Sequence, residues 1–296
     1  MSISHEFDYR RPGSLEEAHE LLREAGDGAA LLAGGTDLVA WLRDGVVLPS
    51  LVVDLKGVPG LGEIVESGGS ISLGALVTFA DAIDSEVIRG RLPLIWEMAR
   101  VMGSTGIRNR ATISGNICSG VPSCDSGPVL LVLEAVVRVS APGGEREAPI
   151  NDWFKGPKKT DLRSGEIVVG LSIDAPGEGH GACYVKLRRN RGEDLAQAGV
   201  AVLALPDMSY RVAFGAVAPT PVRARRIESC LAGRHMDDAA LVEAVGLVTE
   251  ETSPIGDIRA SLEYREHMLP VMLTRALRAA AARRDGDGPA YGTSLI

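Results

Sequence analysis

Hydrophobic and polar positions alternate over short distances in the first half of the chain. Apolar runs separated by glycine-containing turns are typical of short strands and hairpins. The predicted strands are 29–33, 51–55, 64–66 and 70–73. Ser14 followed by Glu17 indicates a capped helix, and Pro93 suits the first position of another helix. This mixture lacks the regular strand–helix alternation of a doubly wound sheet, so it indicates an α+β fold.

The pattern changes after the turn residues 176–179. Three apolar segments there predict strands at 182–187, 199–205 and 210–216. Two longer segments with helical periodicity follow, at 237–249 and 261–282. We therefore predict a first domain over 1–176 and a small α+β C-terminal domain over 177–285, with a three-stranded antiparallel sheet packed against helices. Residues 286–296 contain glycine and aspartate and predict a mobile tail.

The first segment with candidate chemistry is 31–39, in which an apolar run ends at Gly34 and Gly35 before Thr36 and Asp37. Glycines allow positive φ and close approach of the backbone to a ligand. A strand, a glycine turn and a helix start together form a geometry that binds phosphate. Taken alone, the segment also fits an ordinary strand-to-helix turn.

A second glycine- and hydroxyl-rich segment occupies 103–117 and continues as small polar residues to Asp125. One explanation is close contact with a ligand, and the alternative is a long surface loop. The chain has neither a P-loop nor a G-x-G-x-x-G fingerprint. The loops around Gly34 and Gly115 could instead hold one pyrophosphate from two sides with backbone N–H groups. Asp125 fits either a ribose contact or a helix N-cap.

Composition excludes several classes of function. The net charge of −8 argues against non-specific nucleic-acid binding, and four scattered cysteines do not form a disulfide scaffold. No apolar run is long enough for a membrane span, and the N-terminus shows no secretory signal, so we expect a soluble, cytoplasmic protein. The spacing of histidines and cysteines indicates no metal site, and no nucleophile motif or acid–base dyad is present, so we predict no catalytic residue.

Three further side chains with candidate chemistry are a lysine and two cysteines. In a strand, Lys186 would face away from Val185 and Leu187, toward either a cofactor between the domains or water. Cys118 and Cys124 are interpreted as buried structural thiols.

Five segments, in order along the chain, carry a resemblance to a known family. They match the patterns A-G-G-T/H/Q-D/S-L, T-I-G-G-N/S, an acidic residue nine positions later, aromatic-x-K-x-x-R, and P-x-x-D-x-R-x-S-x-x-Y-R. The matching residues are Ala33 to Leu38, Thr112 to Asn116, Asp125, Tyr184 to Arg189, and 254–265. From about residue 7 to 283 the chain resembles the FAD-binding medium subunit of the molybdenum hydroxylases, a group that includes carbon monoxide dehydrogenase and xanthine dehydrogenase.

The resemblance implies an FAD-binding domain of the vanillyl-alcohol-oxidase type in two parts, about 1–56 and 57–176. It implies that the two loops hold the FAD pyrophosphate and that other residues contact the cofactor further out. The implied cofactor-binding residues are Ala33, Gly34, Gly35, Thr36, Asp37, Leu38, Met102, Thr112, Ile113, Ser114, Gly115, Asn116, Asp125, Val168 and Lys186. One departure is Ser114, which replaces a family glycine, so a positive φ there would be costly. A valine at Gly35 is expected to block the phosphate.

The resemblance also implies partners. A large subunit would carry a molybdenum cofactor, and a small subunit would carry two [2Fe-2S] centres that pass electrons to the FAD of this chain. The flavin would then reduce NAD⁺, a quinone or another acceptor. The family-specific cysteine insertion for an additional cluster is absent, so no cluster is expected on this chain. The alternatives are a stand-alone FAD oxidoreductase of the same fold, or an α/β binding module without a cofactor.

Overall fold

A computed structural model describes residues 3–190 and 192–296. The chain begins with a parallel three-stranded sheet in the order β1-β3-β2. Its strands are β1 (Asp8–Arg10), β2 (Ala29–Leu32) and β3 (Leu51–Asp54), and its helices are α1 (Leu15–Ala25) and α2 (Leu38–Arg43). The Ser14 hydroxyl accepts a hydrogen bond from the Glu17 N–H, as expected for an N-cap. Because β2 and β3 are parallel, their carboxyl ends meet at one edge, beside the first glycine loop.

A five-stranded antiparallel sheet follows, in the order β4-β5-β10-β6-β7. Its strands are β4 (Ile64–Ser67), β5 (Ser70–Gly74), β6 (Val136–Ala141), β7 (Gly144–Pro149) and β10 (Ile167–Asp174). A small hairpin consists of β8 (Phe154–Gly156) and β9 (Lys159–Thr160). Six helices lie between β5 and β6: α3 (Phe79–Asp84), α4 (Glu86–Arg91), α5 (Pro93–Val101), α6 (Thr105–Arg108), α7 (Ile113–Cys118) and α8 (Ser126–Val132).

The C-terminal sheet has four antiparallel strands, so the prediction of three is corrected. They are β11 (Gly181–Leu187), β12 (Ala198–Ala204), β13 (Tyr210–Gly215) and β14 (Val222–Arg223). The fourth strand has only two residues, too few for an alternating pattern to be visible. The helices that complete this part are α9 (Arg225–Leu231), α10 (Asp238–Gly246), α11 (Val248–Glu251) and α12 (Leu262–Asp285).

The five-stranded sheet and the C-terminal sheet share one continuous core. Ala182 and Tyr184 of β11 are buried in the same cluster as Phe79, Met98 and Trp153 from the first part of the chain. The opposite face of the C-terminal sheet packs on α12 in a second cluster. No helix among the described residues has the length and apolarity needed to cross a bilayer.

Residues 286–296, for which the sequence predicted a mobile tail, contact both α5 and the C-terminal sheet. The Tyr291 hydroxyl accepts a hydrogen bond from the Ala182 N–H at 3.1 Å, and the Gly292 N–H donates to Glu97 at 2.9 Å. The Arg283 guanidinium lies 4.1 Å from the Tyr291 ring centroid. Arg283 also donates to the Pro289 and Ala290 carbonyls, and glycine content alone does not reveal any of these contacts.

Candidate functional site

A cavity of about 950 Å³ opens between the loop after β2 and the segment that leads into α7. Both glycine-rich segments found in the sequence lie in its wall. Thirteen of the fifteen expected site residues line it: Ala33, Gly34, Gly35, Thr36, Asp37, Leu38, Met102, Thr112, Ser114, Gly115, Asn116, Asp125 and Val168. Ile113 and Lys186 do not.

Gly34 allows the two loops to touch through their backbones. A Cβ atom at this position would lie 1.9 Å from the Arg110 carbonyl oxygen and 3.0 Å from the Ala111 Cα. At Gly35, in contrast, φ is +80° and a Cβ would face Leu32 at 2.9 Å and Val39 at 3.5 Å. The expectation that a Gly35 side chain would project into the phosphate site is therefore wrong, because neither Leu32 nor Val39 lines the cavity.

The first loop presents a row of open donors. Among the described residues, no acceptor bonds the backbone N–H groups of Gly34, Gly35, Thr36 and Asp37. Consecutive N–H groups without protein partners form a concave anion-binding nest. The row lies in the cavity wall, where a ligand with acceptor oxygens could bond to all four groups.

The second loop is fixed by its own N-cap. The Thr112 hydroxyl accepts a hydrogen bond from the Gly115 N–H at 2.9 Å and begins α7. Ser114 is therefore helical and its φ is not positive, so the expected strain of a serine at this family glycine is absent. Its buried hydroxyl has no hydrogen-bond partner among the described residues and lies in the cavity wall. A buried hydroxyl without a partner is costly, so this atom also suits a ligand.

Asn116 and Asp125 line the cavity, and their side chains also make hydrogen bonds within the protein. The Asn116 side-chain oxygen accepts from the N–H and the hydroxyl of Ser126, and so caps α8. Asp125 precedes α8 but makes no capping hydrogen bond, so the N-cap interpretation of Asp125 is wrong. Its carboxylate accepts from the Tyr184 hydroxyl and from Lys186 Nζ, each at 2.7 Å.

Lys186 points neither to the cavity nor to water. Its side chain is 2% exposed, pairs with Asp125, and also donates to the Val101 carbonyl at 3.3 Å. The strand alternation correctly placed this lysine opposite Val185, but the sequence did not reveal its partner. Burial together with the Asp125 carboxylate raises the pKa of Tyr184 well above its ordinary value, which keeps the phenol protonated.

Ile113 supports the site from inside the protein. Its side chain lies in the main core, while its N–H donates to the Val77 carbonyl at 3.1 Å. Met102, Ile107 and Val168 are apolar residues that also line the cavity. Trp41, Cys118 and Leu195 also line the cavity and were not predicted. Helical spacing could have found the first two, since they follow Asp37 and Ser114 by four positions, whereas no local signal identifies Leu195.

Asp37 is the acidic side chain on the first loop. Its burial among the cavity walls raises the pKa of this carboxyl, although it still reaches solvent and is opposed by the Ser119 hydroxyl and the Lys158 ammonium. A carboxyl that ionises reluctantly repels a neighbouring anion less. Lys158 also lies 5.7 Å from the Trp41 ring centroid, which places a cation at this side of the cavity.

The cysteines are not arranged for metal binding. No group of three or more histidine, cysteine or acidic side chains capable of holding a metal occurs within residues 3–190 and 192–296. All four thiols are free. Cys124 is buried as expected, whereas Cys118 is only half-buried because it borders the cavity. Burial raises the pKa of Cys118 and of Cys124 to about 12.

These thiols should therefore react slowly with iodoacetamide in the native chain. At about pH 8, roughly one such thiol in ten thousand is ionised, and the thiolate is the reactive form. Cys230, which is half-buried in the C-terminal part, should be alkylated first. Peptide mapping after timed labelling measures this order, with labelling in denaturant as the control. Reaction of Cys124 as fast as Cys230 would contradict the burial described here.

Comparison with known proteins gives two family matches. Residues 5–176 match the model described as the FAD binding domain in molybdopterin dehydrogenase, and residues 182–280 match the CO dehydrogenase flavoprotein C-terminal domain. The chain is 34% identical to the carbon monoxide dehydrogenase medium chain of Afipia carboxidovorans, over 94% of this chain and 97% of that one. It is 31% identical to the putative xanthine dehydrogenase FAD-binding subunit of Escherichia coli, over 94% and 97%.

Solved structures agree with these matches. A chain of reconstituted CO dehydrogenase from Oligotropha carboxidovorans superposes with a TM-score of 0.92 at 34% identity, covering 95% of this chain and all of that chain (100%). A chain of quinoline 2-oxidoreductase from Pseudomonas putida 86 gives a TM-score of 0.90 at 28% identity, covering 96% and 99%. The similarity thus extends over both parts of the fold and confirms the α+β assignment of an FAD-binding domain followed by a C-terminal domain.

Proposed function

The chain belongs to the family of FAD-binding medium subunits of molybdopterin dehydrogenases, and we propose that the cavity between its two loops holds the FAD. It is an oxidoreductase subunit that transfers electrons through FAD, and the molybdenum and iron–sulfur cofactors of such complexes belong to other subunits. A stand-alone flavin oxidoreductase is not favoured, because the relatives are named as subunits or medium chains.

The four open N–H groups from Gly34 to Asp37 are the observation that carries this proposal. They share one cavity wall with the unpartnered Ser114 hydroxyl, and Gly34 brings the two loops into backbone contact. A pyrophosphate offers acceptor oxygens to both loops at once, and it needs no lysine for this. The cavity volume of about 950 Å³ is also within the usual range for cofactor sites.

We assign roles to the site residues on this basis. The segments Ala33 to Leu38 and Thr112 to Asn116 would hold the pyrophosphate, while Met102 and Val168 would contact the apolar flavin ring. FAD bound here supplies the ability to accept and release electrons. Behind the cavity wall, Lys186 would fix the position of the Asp125 carboxylate and neutralise its charge near the cofactor.

The relatives are chains of multi-subunit dehydrogenases, which implies a large and a small partner subunit. We propose that the large partner binds the molybdopterin cofactor and that electrons arrive from [2Fe-2S] centres of the small one. They would leave to NAD⁺, a quinone or another acceptor. We also propose a domain boundary near residue 176, with parts at about 1–56 and 57–176, because the family matches end and begin at residues 176 and 182.

The first experiment is to purify the full chain and measure bound flavin by its visible absorbance, before and after incubation with FAD. We expect stoichiometric FAD that gel filtration does not remove. A folded chain that takes up no FAD, even in excess, would reject the proposed function. Tagged purification from its natural host should then recover a molybdenum-containing large chain. Recovery of an active flavoprotein with no partner would instead support the stand-alone alternative.

A further inference from the structure

Three side chains meet at the carboxyl end of β3, just outside the cavity. Lys56 Nζ lies 2.6 Å from Asp54 Oδ1, and the Lys56 N–H donates to the same oxygen at 3.0 Å. The Tyr9 hydroxyl donates to Asp54 Oδ2. None of the three side chains lines the cavity, so the proposed cofactor role does not account for them.

Asp54 is the buried centre of this cluster, with 2% of its surface exposed. Burial alone would favour the neutral acid, but the hydrogen bonds from Lys56 and Tyr9 outweigh it and lower the pKa of Asp54 below its ordinary value. The hydrogen bond between Tyr9 and Asp54, together with burial and the Asp54 charge, raises the pKa of Tyr9. At neutral pH the cluster therefore contains a carboxylate that fixes the Lys56 side chain in place.

Lys56 reaches from this cluster to the first glycine loop. Its Nζ donates to the Ala33 carbonyl oxygen at 3.1 Å. The peptide bond between Ala33 and Gly34 is trans, as are all those described. In a trans peptide the N–H points opposite to the C=O, so the Gly34 N–H points away from Lys56. This N–H is the first of the four open donors.

We propose that Lys56, held by Asp54 and Tyr9, is a positioning residue that fixes the orientation of the 33–34 peptide for anion binding. The inference rests on the proposed function, because the anion is taken to be the pyrophosphate of FAD. If this peptide turned over, the Ala33 carbonyl would replace the Gly34 N–H on the other side. Its partial negative charge would then oppose a phosphate, and one donor of the nest would be lost.

The test compares four forms of the full chain: wild type, Lys56→Met, Lys56→Arg and the control Lys155→Met. Lys155 is also a surface lysine, but it pairs only with Asp161, at 3.5 Å. The dissociation constant for FAD is measured by titrating flavin-free protein and following flavin fluorescence. The melting temperature of each flavin-free form is measured in parallel. Loss of a hydrogen bond from a charged group corresponds to about a tenfold or larger loss of affinity.

We expect Lys56→Met to bind FAD about tenfold more weakly, Lys56→Arg to recover most of that loss, and Lys155→Met to match wild type. Tyr9→Phe removes a less direct contact and should show a smaller loss in the same direction, even if Lys56→Met folds poorly. Equal FAD affinity for wild type, Lys56→Met and Tyr9→Phe overturns the inference. The inference is also overturned if Lys56→Arg loses as much FAD affinity as Lys56→Met and both variants melt at a lower temperature than wild type. Absence of FAD binding in the wild type rejects the proposed function itself.

Discussion

Replacing Gly34 by alanine should weaken FAD binding by at least about a hundredfold while the chain stays folded. The new methyl carbon would lie 1.9 Å from the Arg110 carbonyl oxygen, a distance that backbone atoms cannot tolerate. The loop after β2 must then separate from the segment before α7. Two sets of donors that converge on one pyrophosphate would no longer do so, and losing about two charge-assisted hydrogen bonds gives this factor.

The expected cost to stability is smaller, about 1–3 kcal/mol for overpacking. Gly62→Ala is the matched control, because Gly62 has no positive φ and a Cβ there meets no atom within 4 Å. Gly35→Ala should lose more FAD affinity and stability than Gly62→Ala but less than Gly34→Ala. Its Cβ meets only the flexible end of Leu32, but its φ of +80° strains an alanine. FAD titration measures the dissociation constant of each variant, and urea unfolding measures its free energy of unfolding. If Gly34→Ala bound FAD like Gly62→Ala, the two-loop site would be wrong.

The two loops could be predicted because their signals are local. Glycine pairs mark close approach, whereas the helix that begins after Thr112 and forms a cavity wall was not predicted. The backbone conformation of Ser114 was left open, since a positive φ there would be costly, and the serine lies within α7 without a positive φ. The spacing of residues identified the segment correctly but not the backbone conformation of each position.

Contacts between segments far apart in the chain could not be predicted from the sequence. Lys186 and Asp125 are separated by 61 positions, and their pairing depends on how the C-terminal sheet packs against α5 and α8. Lys56 could not be linked to Ala33 for the same reason, since only the parallel pairing of β2 with β3 brings them together. The contacts of the tail were not predicted, because its glycines suggested freedom while Tyr291 and Gly292 bond to segments more than a hundred positions away.

Replacing Arg283 by methionine should lower the free energy of unfolding by about 3–5 kcal/mol, the usual cost of removing one partner of a buried ion pair. Arg283 on α12 and Glu97 on α5 are 4% and 5% exposed and lie 2.9 Å apart. The Glu97 carboxylate also accepts from the N–H groups of Tyr184 and Gly292. This one carboxylate thus joins the first part of the chain, the C-terminal sheet and the tail.

Arg278→Met is the control on the same helix, because Arg278 and its partner Asp238 are 60% and 90% exposed and such pairs contribute at most about 1 kcal/mol. Urea unfolding followed by circular dichroism measures both variants. The double change Glu97→Leu with Arg283→Met should cost less than the sum of the single changes, because it leaves no unpaired buried charge. Equal stability of Arg283→Met and Arg278→Met would show that the junction between the two parts does not depend on this ion pair.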